Sequence, residues 1–195
     1  MLTLCIDTAY KYLSVCLIKD DKIIASSSEE CFKRQSEEVF VALDRIFNEA
    51  NINPKLIDSI CISKGPGSYT GVRIAMTIAK VIGEVLNIDV YTISTLKLYA
   101  ANKPNTMVIM NARADRAYVG IYDEGKTIMD DCILTIDQIN ASKYNVVGDG
   151  SLVNKEDNFI NICEAFLNTK SNWQKVDSIA YLVPEYLKES ESYYR

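Results

Sequence analysis

The residues best suited to chemistry lie in one glycine-rich stretch, from Lys64 to Arg73. Three glycines and one proline fall within seven residues of it, between an apolar run and a long apolar helical pattern. Glycine allows backbone angles and close approaches that other residues cannot adopt, and proline fixes its own φ. A turn from a strand into a helix also leaves unpaired N–H groups that can bind an anion or a carboxylate. The stretch could therefore hold a phosphate or contact a partner.

Neither of two common phosphate-binding motifs fits this stretch. A P-loop requires Gly-Lys-Ser/Thr after its first glycine and four further residues, but Thr70-Gly71-Val72 stands there when the count starts at Gly65. The dinucleotide-binding fingerprint places its third glycine about five residues after the first, whereas Gly71 follows Gly65 by six residues. The alternative is a tight turn whose glycines serve the packing of a helix on a strand.

The composition excludes several kinds of catalytic and binding site. The 195 residues contain no histidine, which removes Ser-His-Asp and Cys-His pairs, histidine metal ligands and the commonest general base. The net charge is −5 without a dense basic run, so we expect that any RNA is held by another component. The six cysteines form no CxxC pair, and we expect them to be small buried residues in a reduced compartment.

The bulk composition is typical of a folded globular protein. With 48% apolar and 24% charged residues, the chain can bury a core of its own. Its first residues lack the basic lead-in of a signal peptide, and no apolar run is long enough to cross a membrane. We therefore expect a cytoplasmic protein that does not enter a membrane.

The pattern of apolar residues predicts an α/β fold. Three short β-rich runs within residues 2–28 form a meander, and helical patterns follow at 36–50 and 70–86. A second meander covers residues 107–134. The apolar spacing over residues 176–183 suggests one last helix.

The two meanders predict two lobes that divide near Pro104. Residues 1–103 form the N-terminal lobe, and residues 104–195 form the C-terminal lobe. Such lobes suit the actin–Hsp70–sugar kinase (ASKHA) architecture, in which each lobe is a mixed sheet flanked by helices. Ligands of that architecture lie in the cleft between the lobes, against the hairpin turns. Asp7-Thr8 and residues 111–116 occupy those turns here, although aspartate also favours turns for structural reasons.

The predicted helix over residues 70–86 is more apolar than a helix on one sheet requires. Its polar side chains form one narrow stripe, which consists of Arg73, Thr77, Lys80 and Glu84. A helix that lies on a sheet normally exposes about half of its circumference to water. We therefore expect a second cover, either by a neighbouring helix of the same chain or by a second protein.

The segment from Gly65 to Ile74 resembles the signature of the bacterial TsaB (YeaZ-like) family. Shorter matches support the resemblance, and they lie at Leu4–Thr8, Ser36-Glu37, Ser94–Leu96, Ala112-Arg113 with Ala117-Tyr118, and Pro184–Lys188. The resemblance covers nearly the whole chain and is most specific over residues 60–100. Because the family is typically somewhat longer, the resemblance also implies that the C-terminal lobe, residues 104–195, is shortened.

The resemblance implies a role in making threonylcarbamoyladenosine beside the anticodon of tRNA, without catalysis by this chain. Its partner would be a TsaD-like catalytic subunit, a TsaE-like ATPase would join the pair, and tRNA would be reached only through the complex. The chain would have no metal or cofactor of its own. ATP or ADP would lie at the junction with the partner subunits.

The resemblance also implies that a partner docks on the two helices of the N-terminal lobe. The expected partner interface consists of Val39, Phe40, Leu43, Phe47, Ile74, Ile78, Val81 and Ile82. The expected edge toward a nucleotide or the partner consists of Asp7, Thr8, Gly65, Gly67, Ser68, Tyr69, Thr70, Gly71, Arg73 and Arg113.

Two departures from the family pattern bear on catalysis. Gln35 stands where the family commonly has histidine, and Asn111 stands where it usually has aspartate. Metal–phosphate chemistry across the cleft then lacks its usual ligands, so we expect no ATPase activity from the isolated chain. Two alternatives stay open. One is an autonomous ATPase or phosphotransferase that uses Asp7, Thr8 and the glycine-rich turn, and the other is a homodimer through the same two helices.

Overall fold

The computed structural model describes residues 1–31 and 34–187 and contains two mixed β-sheets flanked by helices. The strands are β1 (Leu2–Asp7), β2 (Tyr12–Lys19), β3 (Lys22–Glu30), β4 (Ser59–Ser63), β5 (Asp89–Ile93), β6 (Thr106–Arg113), β7 (Arg116–Asp123), β8 (Lys126–Thr135), β9 (Asn145–Gly148) and β10 (Gln174–Lys175). The helices are α1 (Gln35–Ala50), α2 (Tyr69–Leu86), α3 (Thr95–Ala100) and α4 (Ile162–Asn168). The predicted α/β fold, with mixed sheets flanked by helices, is confirmed.

The strands β1, β2 and β4 of the first sheet are buried on both faces. The strand order of this sheet is β10-β5-β4-β1-β2-β3, with β1 antiparallel to β2 and parallel to β4. Successive side chains of a strand point to opposite faces. Leu4 and Ile6 therefore pack with α1 and α2, while Cys5 packs with α3 and α4 on the other side. Because both faces are covered, β1 is buried along its whole length, without alternation between buried and exposed residues.

The second sheet is joined to the first by a shared apolar cluster. Its strand order is β8-β7-β6-β9. Helix α3 contacts β6 and β7, and α4 contacts both α3 and strands of the first sheet. Cys16, Leu98, Tyr118 and Phe166 belong to this cluster. All six cysteines are free thiols, and the prediction that they are small buried residues is confirmed for five of them, while Cys132 is half-buried.

The last described part of the chain returns to the first sheet. Strand β10 pairs antiparallel with β5 at the edge of that sheet. Leu182 then packs into the core beneath α1 and α2. The predicted lobe boundary between residues 103 and 104 stays a prediction, and the structure adds that β10 and Leu182 pack on the sheet with which the chain begins.

Helix α2 packs on the first sheet and is covered on two further sides by other parts of its own chain. Helix α1 contacts it from above β2 and β3, and a short 3-10 turn, Ile179–Tyr181, contacts it from the β10 end of the sheet. A Cβ at Gly83 of α2 would lie 2.8 Å from the Ile179 Cδ1 atom. The prediction of a helix over residues 176–183 is wrong, since only the short 3-10 turn forms there. The apolar residues of this segment cover α2 and fill the core. Part of the apolar excess of α2 is explained by this cover.

The glycine-rich turn and the first hairpin, between β1 and β2, are in backbone contact. A Cβ at Gly67 would collide with the carbonyl oxygen of Ala9, and a Cβ at Gly71 would collide with that of Thr8. The Ser68 N–H donates to the Ala9 carbonyl at 2.7 Å, and the Thr8 hydroxyl donates to the Gly71 carbonyl at 2.6 Å. These glycines therefore serve the packing of α2 against β1.

Replacement of Gly71 by alanine should lower stability although it favours the helix. Alanine is about 1 kcal/mol better than glycine in a helix interior, but the added Cβ overlaps the Thr8 carbonyl, and overpacking costs about 1–3 kcal/mol. We expect Gly71→Ala to lower the urea midpoint of unfolding. Thr70→Ala, at the exposed neighbouring position, should change the midpoint little. A Gly71→Ala variant more stable than the wild type would contradict the close approach.

Candidate functional site

Asp7 lies at the end of β1 and is fully buried. Its Oδ1 atom accepts hydrogen bonds from the Ser63 hydroxyl and, at 3.1 Å, from the Ala9 N–H. Its Oδ2 atom accepts one from the Tyr99 hydroxyl at 3.0 Å. Burial raises the pKa of the Asp7 carboxyl, and these hydrogen bonds oppose that shift. Because both oxygens are engaged inside the protein, the Asp7 side chain links β1, β4 and α3.

Thr8 is also buried, and it links the first hairpin to α2. Its hydroxyl donates to the Gly71 carbonyl at 2.6 Å and accepts from the Ala75 N–H at 3.3 Å. The structure thus brings Asp7, Thr8 and the glycine-rich turn together, as the sequence predicts. The contacts that hold them are between groups of the protein itself.

The last described residues, 183–187, cross the glycine-rich turn and are called the C-terminal strap below. The Glu185 N–H donates to the Lys64 carbonyl at 2.8 Å, and the two side chains form an ion pair at 3.2 Å. Gly65 has a φ of +107°, which favours glycine, and a Cβ there would lie 2.5 Å from the Glu185 carbonyl oxygen. The strap therefore covers one side of the turn. Lys188, which the sequence match includes, lies outside the described residues.

An aromatic stack joins the strap to the start of α2. The rings of Tyr69 and Tyr186 are stacked with centroids 5.3 Å apart. The Arg73 guanidinium lies 3.9 Å from the Tyr69 ring centroid, and its Nε donates to the Tyr186 hydroxyl at 2.7 Å. Ser68, which caps α2 at its N-terminus, and Thr70 are exposed. Within the glycine-rich stretch, the accessible residues of the predicted nucleotide edge are therefore Ser68, Thr70 and Arg73.

Arg113 lies on a different hairpin, between β6 and β7. It is exposed with a φ of +63°, and its N–H donates to the Asn111 side-chain oxygen at 2.7 Å. The Asn111 side chain thus bonds to the backbone two residues on, which is a turn-forming role that aspartate can also fill.

A polar cluster of Tyr10, Lys11 and Asp149 was missed by sequence reasoning. The Tyr10 hydroxyl donates to Asp149 Oδ2, and the Asn111 N–H donates to the same oxygen at 2.8 Å. Lys11 Nζ lies 2.6 Å from Asp149 Oδ1. Burial raises the pKa of the Tyr10 hydroxyl, and the Asp149 carboxylate raises it further. Tyr10 and Asp149 are 139 positions apart, so the one local signal was the Gly148–Gly150 turn after a strand.

The sequence predicts that the protein does not enter a membrane and has no metal ion of its own. None of the helices in the described part of the chain has the length and apolar character that a membrane crossing requires. Within residues 1–31 and 34–187, no three carboxylates or thiols are grouped so that they could share a metal ion. The expectation that the chain has no metal or cofactor of its own stays a prediction.

The residues of the predicted partner interface divide into a buried and an exposed group. Four of them lie in the core on the inward sides of α1 and α2, which corrects their assignment to the interface. They are Val39, Leu43, Phe47 and Ile78. Phe40 is 65% exposed and Val81 is 57% exposed, while Ile74 and Ile82 are half-buried. Val85, which was not predicted, is 75% exposed. The five exposed or half-buried residues are called the docking face below, and its use as an interface stays a prediction.

Comparison with known proteins finds relatives that are named for tRNA threonylcarbamoyladenosine biosynthesis. The family model described as "TsaD: tRNA N6-adenosine threonylcarbamoyltransferase" matches residues 23–161. The tRNA threonylcarbamoyladenosine biosynthesis protein TsaB of Bacillus subtilis is 34% identical over 126 residues, which cover 63% of this chain and 55% of that protein. The protein of the same name from Buchnera aphidicola subsp. Schizaphis graminum is 30% identical over 164 residues, covering 75% of this chain and 78% of that protein. The aligned part thus spans little more than half of the Bacillus protein.

A solved structure shares the whole fold. The structure described as "YeaZ from Pseudomonas aeruginosa" superposes with a TM-score of 0.82, covering 95% of this chain and 99% of that chain. The sequence identity is 20%, so this likeness shows the fold alone.

Asp7 variants should separate a structural carboxylate from a ligand-binding one. Asp7→Ala leaves the Ser63 and Tyr99 hydroxyls unpaired in the core, and we expect a loss of about 1–3 kcal/mol in the free energy of unfolding. Asp7→Asn keeps the shape, can keep these contacts because hydroxyls also accept, and removes the buried charge. It should be the more stable of the two variants when measured by urea unfolding near neutral pH.

The pH dependence of the same variants tests the burial of the charge. The pKa of Asp7 is raised on folding, so the native state binds its proton first as the pH falls. As the pH falls from the folded-state pKa to the unfolded value of about 3.9, the free energy of unfolding of the wild type should therefore rise relative to that of Asp7→Asn. Urea unfolding at a series of pH values measures this difference. Parallel curves for the two proteins would show that Asp7 titrates alike in both states.

Proposed function

We propose that this chain, which belongs to the TsaB (YeaZ-like) family and carries a TsaD-type domain, is a non-catalytic partner subunit in the biosynthesis of tRNA threonylcarbamoyladenosine. It pairs with a TsaD-like catalytic subunit, and a TsaE-like ATPase joins the pair. The observation that carries this proposal is the docking face, where apolar side chains remain exposed on two adjacent helices.

The docking face has the properties of an interaction site. Val81 and Val85 lie one turn apart on α2, and Phe40 is exposed on the neighbouring α1. Burial of apolar surface contributes roughly 25 cal/mol per Å², so covering these side chains stabilises a complex. Large apolar side chains that are grouped on the surface of a monomer mark binding sites more often than chance. Ile74 and Ile82 are half-buried beside them and extend the contact area.

The engagement of Asp7 in internal hydrogen bonds and the cover over Gly65 support a role without catalysis. A carboxylate that binds the metal ion of a nucleotide must offer free oxygen lone pairs. The Asp7 carboxylate accepts three internal hydrogen bonds, and the strap covers Gly65. If ATP or ADP takes part, its place is at the junction with the partner subunits, beside the accessible residues Ser68 and Arg73.

The charge of the chain supports contact with tRNA through the complex. Proteins that bind nucleic acid alone neutralise phosphates with clustered lysine and arginine. This chain has 21 basic and 26 acidic residues, a net charge of −5. The basic surface for tRNA is therefore supplied by the partner subunits.

Substitution of Val81 by glutamate should remove partner binding and leave the fold intact. The side chain is 57% exposed, so the charge is tolerated in the free protein, but it would be buried without a counter-charge in the complex. We expect the affinity for the TsaD-like subunit to fall about 10-fold or more in a pull-down or calorimetric titration.

Ile128→Glu is the matched control for this substitution. Ile128 is 60% exposed and lies on β8, away from the two helices of the docking face. It should bind the partner like the wild type. A folded Val81→Glu variant that also binds normally would refute the interface, and the sedimentation of both variants shows whether the same face forms a homodimer.

The isolated chain should not hydrolyse ATP. We expect no turnover of Mg-ATP above the buffer control, for the wild type and for Asp7→Asn alike, because Asp7 is engaged in the core. Calorimetric titration with Mg-ATP and a phosphate-release assay measure binding and turnover, with the TsaE-like ATPase as the positive control. Tight binding with turnover that Asp7→Asn removes would favour the autonomous ATPase or phosphotransferase instead.

A further inference from the structure

Four of the buried cysteines meet on one face of the first sheet. Cys5 on β1 lies opposite Cys16 on β2 and, in the parallel ladder, beside Cys61 on β4. Cys163 reaches the same apolar cluster from α4. The side chain of Cys16 interacts with those of both Cys5 and Cys163. The two strands β1 and β2 and the helix α4 therefore each supply one thiol to a continuous row in the core.

The backbone positions of Cys5 and Cys16 suit a disulfide. Residues directly opposite each other in an antiparallel pair have Cα atoms about 4.5 or 5.5 Å apart, depending on the hydrogen-bond pattern at that position. Both separations lie within the roughly 4.4–6.8 Å that disulfides span. Cys61 is the neighbour of Cys5 on the other side, but the side chain that forms a hydrogen bond with Cys5 is that of Cys16. Cys5 and Cys16 are therefore the pair that can join with the least movement.

Burial keeps these thiols unreactive while the core is closed. It raises the pKa of the Cys5 thiol to about 11 and holds the pKa of the Cys61 thiol well above its ordinary value. The thiolate is the nucleophile in thiol–disulfide exchange, so a thiol with a raised pKa reacts slowly. Cys5 and Cys16 are both fully buried, so an oxidant reaches them only when part of their cover moves away.

Helix α4 is the part of that cover best suited to move. It has seven residues and contacts β1, β2 and β3. The thiol of Cys163, on its first turn, lies 3.6 Å from the Val15 carbonyl oxygen and 3.8 Å from that of Ser27. The Asn161 side chain caps the helix by accepting from two N–H groups of that turn, at 3.0 and 3.3 Å. A helix this short depends on its cap and its packing, and such units open locally. Because Cys163 lies against Cys16, lifting α4 uncovers Cys16.

We propose that Cys5 and Cys16 form a redox-active dithiol, which closes to a disulfide when α4 opens and admits a small disulfide oxidant such as oxidised glutathione. The Cys16 thiolate attacks one sulfur of the oxidant, which forms a mixed disulfide and releases one reduced thiol. The Cys5 thiolate then attacks the Cys16 sulfur and releases the second. Two protein thiols are oxidised, the two oxidant sulfurs are reduced, and the two thiol protons pass to the released thiolates. The disulfide cross-links β1 to β2, and this step involves neither the docking face nor the proposed partner.

Oxidation of the full-length, folded protein tests the proposal. Cys132 is half-buried and lies outside the thiol row, so the starting protein carries Cys132→Ser, which leaves five of the six thiols. We expect oxidised glutathione to remove two of these thiols, and peptide mapping by mass spectrometry to find a bridge between Cys5 and Cys16. Cys5→Ala in the same background removes the second nucleophile, so it should instead accumulate one glutathione on Cys16. Dithiothreitol should restore all five thiols in the first protein.

Two matched cap variants test whether α4 is the lid. Asn161→Ala removes the side-chain cap of α4 at an exposed position, and we expect the rate of bridge formation to rise about 5-fold, as a lost N-cap of ordinary strength favours opening by that factor. Asn53→Ala removes the side-chain cap of the 3-10 turn Pro54–Leu56, also at an exposed position, and should leave the rate unchanged. Circular dichroism and urea unfolding show that both variants are folded under the conditions of oxidation.

Three results would overturn the proposal. If all five thiols stay free while the protein remains folded in the oxidant, the row is only a set of small core residues. A bridge mapped between another pair, such as Cys16 and Cys163, would show that the redox-active pair is not Cys5 and Cys16. Equal rates of oxidation for Asn161→Ala and Asn53→Ala would show that the thiols are reached by some opening other than that of α4.

Discussion

The fold depends on one close approach, in which the backbone of the glycine-rich turn lies against the backbone of the first hairpin. No Cβ fits at Gly67 or Gly71, because the carbonyl oxygens of Ala9 and Thr8 occupy that space. The approach holds the first turn of α2 against the end of β1 and so sets the direction of the whole helix. The glycines at positions 67 and 71 therefore serve this contact between two backbones.

The carboxylates of Asp7 and Asp149 are likewise used for contacts within the protein. Asp7 and Asp149 each accept hydrogen bonds from three groups of the chain, and each joins elements that are far apart in sequence. A carboxylate has about four lone-pair positions, so three internal donors leave little capacity for a metal ion or a nucleotide. Residues that could serve a ligand in an open cleft therefore act here as links between strands, helices and sheets.

Local patterns predicted the elements well but not the partners of their side chains. The meander over residues 2–28 and the helix that ends at Leu86 follow from spacing, because strand and helix periodicities are local properties. Spacing cannot say whether an apolar helix face meets a sheet or a second protein, so Val39 and Ile78 were predicted as interface residues although they lie in the core. The Tyr10–Asp149 contact spans 139 positions and has no local signature.

Three neighbours within the chain cover parts of the apolar surface of α2. The sheet takes one side, α1 takes a second, and the turn at Ile179 takes a third. These contacts account for the buried residues of the helix but not for Val81 and Val85, which are 57% and 75% exposed. Polar residues there would keep the helix in place equally well, because the other sides hold it. The proposed partner contact would give a reason for apolar residues at these positions, and the turn at the start of α2 would set the angle at which that contact is presented.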